Sequence, residues 1–287
     1  MQTITFTCEV ITPMFLAGAD GITPELRPAS IKGALRFWWR AMNGHLEWKK
    51  MLELEGKIFG STQQRSNLII RIEKELKDIS RVSLLPHKKG SLTPCFPQSD
   101  ENFIVKLSLS KIENGFTLES VKALFILTSI LGGLGKRSRR GFGSFKITNI
   151  DNQDYIEEQK IENILPCMNV LVVKNSANED KFKIDRNRIL LNSRSSYRDL
   201  GEFPYVTEIQ IGANVKTLSE IGNATHKIMS SDAYRYKTTV GAGQPRFASP
   251  VYISMVSDNL PIITTLKTIS NGDKKWSLQT DLKNEIL

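Results

Sequence analysis

Apolar and polar residues alternate over four short stretches in the first half of the chain. From Gln2 to Thr12 every second residue is apolar over most of the stretch, which predicts a strand with one buried face. Asn67 to Lys74, Phe103 to Leu109 and Phe142 to Ile150 repeat the pattern and predict three more strands.

Two stretches between these strands follow a helical period instead. Ser30 is a candidate N-cap for a helix from Ile31 to about Leu46, and Thr117 is one for a helix that ends near Leu131. The order strand, helix, strand, strand, helix, strand predicts the βαββαβ arrangement of a ferredoxin-like (RRM-like) fold.

The second half predicts a less regular version of the same order. Strands are predicted over Met168 to Lys174, Tyr205 to Ile211 and Val251 to Val256, with a helix over Asn214 to Met229. Asn271-Gly272 is a turn signal that predicts a final strand pair. The fold class expected is therefore α+β, with two tandem ferredoxin-like βαββαβ domains.

A domain boundary is expected where the composition changes. Asp151 to Asn163 holds five acidic residues and one Lys with few apolar ones. We therefore predict an N-terminal domain over residues 1–150 and a C-terminal domain over residues 151–287.

Composition excludes several classes of protein. The 287 residues are 40% apolar and 24% charged, as in a soluble globular protein, and we expect no signal peptide, no membrane span and a cytoplasmic location. The three cysteines have no CxxC spacing and the three histidines are far apart in sequence, which argues against a disulfide framework and a metal site. No cofactor is expected.

The excess positive charge lies entirely in the first half. Residues 1–150 hold 22 basic and 13 acidic side chains, whereas residues 151–287 hold 17 of each. Such a one-sided basic field favours a polyanionic partner, most commonly nucleic acid, although a solvated basic face is the alternative.

Two segments place cations where RNA could contact them. On a helical wheel of the first helix, Lys32, Arg36 and Arg40 share an arc, and Trp39 lies between that arc and the apolar side, where it could stack on a base or join the core. Trp38 lies on the apolar side and is expected in the core.

The second segment is the loop Gly132 to Gly143, with five glycines and four cations, Lys136, Arg137, Arg139 and Arg140. Its glycines would let the backbone approach phosphates that the cations neutralise. Helix C-capping is the alternative, and the spacing does not match a Walker A loop.

Evidence for catalysis is weak. Asp20, in the loop after the first strand, could be a catalytic carboxylate, but without a neighbouring acid or His a turn residue is the better interpretation. His45 is expected to be structural. No nucleophile–His–acid constellation can be assembled from the spacing.

Pro28-Ala29-Ser30-Ile31-Lys32-Gly33, its continuation through Arg36-Phe37-Trp38-Trp39-Arg40, the glycine-rich loop and Ala248-Ser249-Pro250-Val251 resemble the RAMP superfamily of CRISPR-associated proteins. Within it the chain is most similar to the first RAMP subunit of type III-B (Cmr) effector complexes.

This resemblance implies a subunit without nuclease activity that binds near the 3′ end of the guide RNA and helps to capture single-stranded target RNA beside other Cmr RAMP subunits. It adds Ser30 to the residues expected to contact RNA. The alternative that it leaves open is a RAMP endoribonuclease, a slicer subunit that uses Asp20.

Overall fold

The computed structural model describes residues 1–85, 90, 92–156, 160–173, 181–192, 203–232, 248–256, 260–267 and 277–287. The strands are β1 (Gln2–Val10), β2 (Leu68–Lys74), β3 (Ser80–Ser83), β4 (Leu92–Cys95), β5 (Asn102–Leu109), β6 (Phe145–Ile150), β7 (Gln153–Asp154), β8 (Phe182–Asp185), β9 (Arg188–Leu191), β10 (Tyr205–Ile211), β11 (Val251–Val256) and β12 (Leu260–Lys267). The helices are α1 (Pro28–Asn43), α2 (Trp48–Phe59), α3 (Leu118–Leu131), α4 (Ile161–Leu171), α5 (Leu218–Asp232) and α6 (Ser277–Ile286).

The first sheet has the strand order β2-β5-β1-β6-β7, and every pairing is antiparallel. Along the chain, strands β1, β2, β5 and β6 of this sheet and helices α1 and α3 follow one another in the order β1, α1, β2, β5, α3, β6. Helix α2 and the hairpin β3–β4 are additions to this order. In β1 the buried side chains are Ile4, Phe6, Cys8 and Val10, as the alternation predicts.

The second sheet has the order β11-β12-β10-β9-β8 and is also antiparallel. Along the chain the order is β10, α5, β11, β12, α6. In a ferredoxin-like half, a fourth strand would follow α6 and pair with β10. Here β9, which comes before β10 in the chain, pairs with β10 instead. The α+β class with two ferredoxin-like halves is confirmed, with a different strand order in the second half.

Helices α1 and α3 lie between the two sheets and contact both. Helix α3 is therefore buried on all sides from Ala123 to Leu131, which explains why its apolar residues form a nearly continuous run rather than one stripe. The far side of the second sheet is covered by α5 and α6, where Ile253 and Met255 pack against Ile221 and Leu282.

Helix starts show which local signals were reliable. Thr117 caps α3 as predicted, because its hydroxyl accepts from the Ser120 amide. Ser30 is not an N-cap. Helix α1 begins at Pro28 after Arg27, since proline has no amide hydrogen to leave unpaired in the first turn.

One other prediction is wrong, and two features of the structure were not predicted. The strand expected over Met168 to Lys174 is contradicted because Met168 to Leu171 form the end of α4, while Lys174 lies outside the described residues. Helix α2 and the β3–β4 hairpin were not predicted. The turn at Asn271-Gly272 lies outside the described residues. The boundary near Asp151 stays a prediction. No helix in the described part of the chain is long and apolar enough to cross a membrane.

Candidate nucleic-acid interface

Helix α1 and the glycine-rich loop meet at a groove of about 240 Å³. Residues three and four apart share one edge of a helix, so Ser30, Ala34 and Phe37 face the loop together. The other lining residues are Trp38 of α1, Gly133, Leu134, Gly135, Ser138 and Arg139 of the loop, and Tyr252 of β11. The two segments singled out in the sequence thus form one site, with a wall from the second half of the chain.

Lys32, Arg36 and Arg40 form a row on another edge of α1, which we call the cation ridge. Its side chains are held by groups outside α1: the Lys32 amine donates to Ser66 Oγ at 2.9 Å, and both arginines contact Glu55 of α2. The ridge is therefore ordered and partly neutralised.

Trp39 is 1% exposed, and the prediction that it could stack on a base is wrong. Its ring packs against Phe59 of α2 with centroids 6.1 Å apart. Because α2 was not predicted, no partner was expected on the side of α1 that bears Trp39. Trp38 is also 1% exposed, as expected, and packs against Phe37 and Tyr252.

The loop glycines are required by contacts inside the protein. Gly135 has φ +91°, and a Cβ there would overlap the Phe15 carbonyl; Gly143 has φ +69°, and a Cβ there would overlap the Leu134 carbonyl. Both positions are left-handed, where glycine is favoured. Contacts within the protein therefore account for these glycines without close approach of phosphates to the loop backbone.

The loop is also tied to the second half of the chain. The Gly141 amide donates to the Ile253 carbonyl at 2.9 Å, and the Ile253 amide donates to the Arg139 carbonyl at 3.3 Å, which adds a short parallel bridge to the edge of β11. These bonds fix the loop at the groove.

Two of the four loop cations point inward. The Arg139 guanidinium lies 5.0 Å from the Phe37 ring and 5.5 Å from the Tyr252 ring and donates to the Ser249 carbonyl. The Arg140 guanidinium donates to the Val251 carbonyl at 3.2 Å, and burial lowers its pKa to about 10, so it stays charged at neutral pH.

The other two loop cations make no side-chain hydrogen bond to the described residues. Lys136 is exposed, and Arg137 is half-buried with φ +61°. Its Nε is buried without a hydrogen-bond partner among the described residues. Lys136 and Arg137 are thus better placed than Arg139 and Arg140 to meet phosphates.

Gly33 differs from the loop glycines. It is exposed in the interior of α1, its φ is not left-handed, and an added Cβ would meet nothing within 4 Å. Glycine inside a helix costs about 0.5–1 kcal/mol relative to alanine. No contact with the described residues explains the choice of glycine at this position.

Sequence reasoning missed three residues of this region. Phe37 could have been found, since it shares the helical edge of Ser30. Glu55 shows a weaker signal as an acid among the apolar positions of α2. Tyr252 had no local signal, because it reaches the groove only through the packing of β11 on α1 and α3.

Asp20 acts as a turn residue. Its carboxylate accepts from the amides of Ile22 at 2.9 Å and Thr23 at 3.0 Å and from the Thr23 hydroxyl. These bonds, led by the Thr23 hydroxyl, lower the pKa of Asp20. The described residues contain no cluster of three or more His, Cys, Asp or Glu that could hold a metal ion.

His45 is structural, as expected. It is 2% exposed; its Nε2 lies 3.0 Å from the Val173 carbonyl and its Nδ1 lies 2.9 Å from the Lys181 amine. A neutral ring protonated at Nε2 satisfies both contacts. Burial and the Lys181 charge lower the pKa of His45 to about 3, and burial lowers the pKa of Lys181 to about 7.

Comparisons with known proteins identify relatives of this chain. Residues 7–146 match the RAMP superfamily model. The Cmr subunit Cmr1-2 of Pyrococcus furiosus is 31% identical over 175 residues, which cover 50% of this chain and 93% of that protein. Cmr1-1 of the same organism is 36% identical over 149 residues, 45% of this chain and 43% of that protein.

Solved structures show the same fold over the whole chain. The apo crystal structure of Cmr1 from Pyrococcus furiosus has a TM-score of 0.62 at 22% identity and covers 100% of this chain and 97% of its own. A subunit of a type III-B Cmr-beta complex, solved by cryo-EM with cognate target RNA, has a TM-score of 0.58 at 11% identity and covers 99% of both chains. The chain belongs to the RAMP superfamily, as a Cmr subunit of a CRISPR system.

Proposed function

We propose that this chain is a non-catalytic RNA-binding subunit of a type III-B Cmr effector complex. The observation that carries the proposal is the groove in which α1 and the glycine-rich loop meet, with the exposed Lys136 in the loop and the cation ridge on a further edge of α1. Phosphates contribute most of the affinity in single-stranded RNA binding, and cations held on a rigid frame suit that contact. Relatives of this fold are found in complexes with target RNA, which supports the same partner here.

The RNA backbone would run across α1 at Gly33, between the cation ridge and the groove. Ser30 and the ring edge of Phe37 lie on the groove side, while Lys136 and Arg137 extend the positive surface from the loop. Arg140 holds the loop in place rather than meeting RNA directly, and Arg139, which lines the groove, also holds the loop.

The expected position near the 3′ end of the guide RNA, beside other Cmr subunits, rests on the family resemblance. Crosslinking of guide RNAs that carry a photoreactive base at either end, in the reconstituted complex, tests it. Crosslinks to this chain should come from the 3′ end, and crosslinks from the 5′ end alone would contradict that position.

The RNA-binding proposal is tested by a double substitution in the loop. In the full chain, Lys136→Ala with Arg137→Ala should weaken binding of a single-stranded RNA and shallow the log–log salt slope by up to about 1.4, since each phosphate contact adds about 0.7. Arg139→Ala with Arg140→Ala should instead lower thermal stability. An unchanged salt slope in the outward pair would assign the loop to protein contacts.

The non-catalytic part of the proposal predicts that a complex carrying Asp20→Asn still cuts target RNA at every site. The side-chain amide introduced by this substitution keeps one acceptor oxygen for the turn, so assembly should be retained. Loss of any cut in an intact complex would instead support the slicer alternative.

A further inference from the structure

Glu55 of α2 lies buried beneath the cation ridge. Its side chain is 1% exposed, whereas those of Arg36 and Arg40 are 37% and 35% exposed. Both arginines contact the same oxygen, Oε1: Arg36 does so through Nε and Arg40 through Nη1 at 3.3 Å. One buried carboxylate therefore anchors two partly exposed guanidinium groups.

This arrangement solves a physical problem for the ridge. Two arginines one helical turn apart repel each other, and each flexible side chain loses rotamer entropy on binding. A carboxylate fixed in the packed interior reduces the repulsion and orders both side chains before any ligand arrives.

The contacts with Glu55 leave donors free on the exposed side. Arg36 still has both terminal amino groups and Arg40 still has one, and no other acceptor for them is found among the described residues. Planar guanidinium donors match the spacing of phosphate oxygens. The ridge ends at Lys32, which Ser66 holds in turn.

We propose that Glu55 is a positioning residue, which holds Arg36 and Arg40 so that their outward N–H groups grip successive phosphates of single-stranded RNA. The proposal rests on the RNA-binding function proposed above. It adds a residue that never touches RNA and whose own charge opposes RNA binding.

That opposition provides a test, because positioning and simple charge predict changes of opposite sign. Glu55→Gln removes one negative charge, so Coulomb attraction alone would tighten RNA binding. If Glu55 positions the arginines, the same substitution weakens binding.

The matched control is Glu53→Gln on the same helix. Glu53 is 49% exposed and pairs with Lys57 at 2.7 Å and Lys50 at 3.6 Å, so its substitution changes the charge equally without touching the ridge. We expect Glu55→Gln to bind single-stranded RNA several-fold more weakly than Glu53→Gln, with a salt slope shallower by up to about 1.4. Equal or tighter binding by Glu55→Gln, without a shallower slope, would overturn the proposal.

A second variant keeps the test valid if Glu55→Gln folds poorly. Arg36→Lys with Arg40→Lys preserves the charge, but each lysine offers one compact ammonium that Glu55 can hold without leaving a planar fork outside. It should also weaken binding, and wild-type affinity would contradict the proposal. Should the wild-type chain itself show no salt-dependent RNA binding, the proposed function fails; if only the Glu55 comparison is flat, this inference alone fails.

Discussion

The glycine-rich loop and helix α1 are two sides of one groove, yet their glycines serve different purposes. In the loop, Gly135 and Gly143 have left-handed backbones, and a Cβ at either position would overlap a carbonyl group of Phe15 or Leu134. In α1, Gly33 has an ordinary helical backbone, and an added Cβ there would meet none of the described residues within 4 Å. The comparison teaches that a glycine-rich signature can mark a close-packed junction, whereas no contact with the described residues accounts for the exposed glycine of α1.

The cations divide in the same way. The loop concentrates positive charge in sequence, but Arg139 and Arg140 hold the loop to rings and carbonyls of the second half. On α1 the arginines stay partly exposed over a buried anchor. Density of charge along the chain therefore does not show which cations are tied inside the protein and which stay partly exposed.

The largest effect is expected at Trp39, which holds α1 against α2. Trp39→Ala should lower the free energy of unfolding by about 3–5 kcal/mol, because it leaves a cavity beside Phe59. Urea denaturation measures this, and Trp38→Ala should behave alike. The folded fraction should bind RNA normally. A Trp39→Ala protein that keeps its stability but binds RNA more weakly would instead indicate that the Trp39 ring lies at the surface of α1 and contacts RNA.

A smaller loss is expected at Gly143 on the loop side. Alanine at φ +69° costs about 1–3 kcal/mol, and its Cβ would overlap the Leu134 carbonyl as well. Gly143→Ala should therefore unfold at clearly lower urea concentration. Gly115→Ala is the control, since Gly115 has φ +78° but open space around it and isolates the backbone term. If both variants lose equal stability, close packing does not explain the loop glycine.

Much of this could be predicted from the sequence. Alternation of apolar and polar residues predicted β1, β2 and β5, and the predicted bounds of β10 and β11 match the structure. These predictions succeeded because burial of a strand requires apolar residues at regular positions in its sequence. The end of α4, Met168 to Leu171, fell inside a predicted strand because the apolar run Val170 to Val173 is typical of an extended segment. In such cases tertiary packing outweighs local propensity.

The candidate site was predictable as segments but not as a surface. Lys32 and the loop cations were identified by residue type and Ser30 by the family resemblance, and α1 and the loop do meet. Which cations face outward depends on β11 and α2, whose contacts with the site join residues far apart in sequence. Local sequence patterns do not show those partners, so the role of Trp39 was misjudged and Glu55 was missed.

The smallest change in stability, and the sharpest contrast, is expected at Gly33. Gly33→Ala should raise the free energy of unfolding by about 0.5–1 kcal/mol, because alanine favours the helix and its Cβ meets no neighbour. Gly56→Ala is the matched control: it also lies inside a helix, its Cβ would make ordinary contact with Ser61 at 3.5 Å, and it should not affect RNA. Only Gly33→Ala should weaken single-stranded RNA binding, by several-fold, since its methyl group stands where the RNA backbone would pass. A more stable protein that binds more weakly cannot be explained by damage to the fold. Unchanged RNA affinity in Gly33→Ala would show that RNA does not cross α1 at Gly33 and would leave the loop as the main contact.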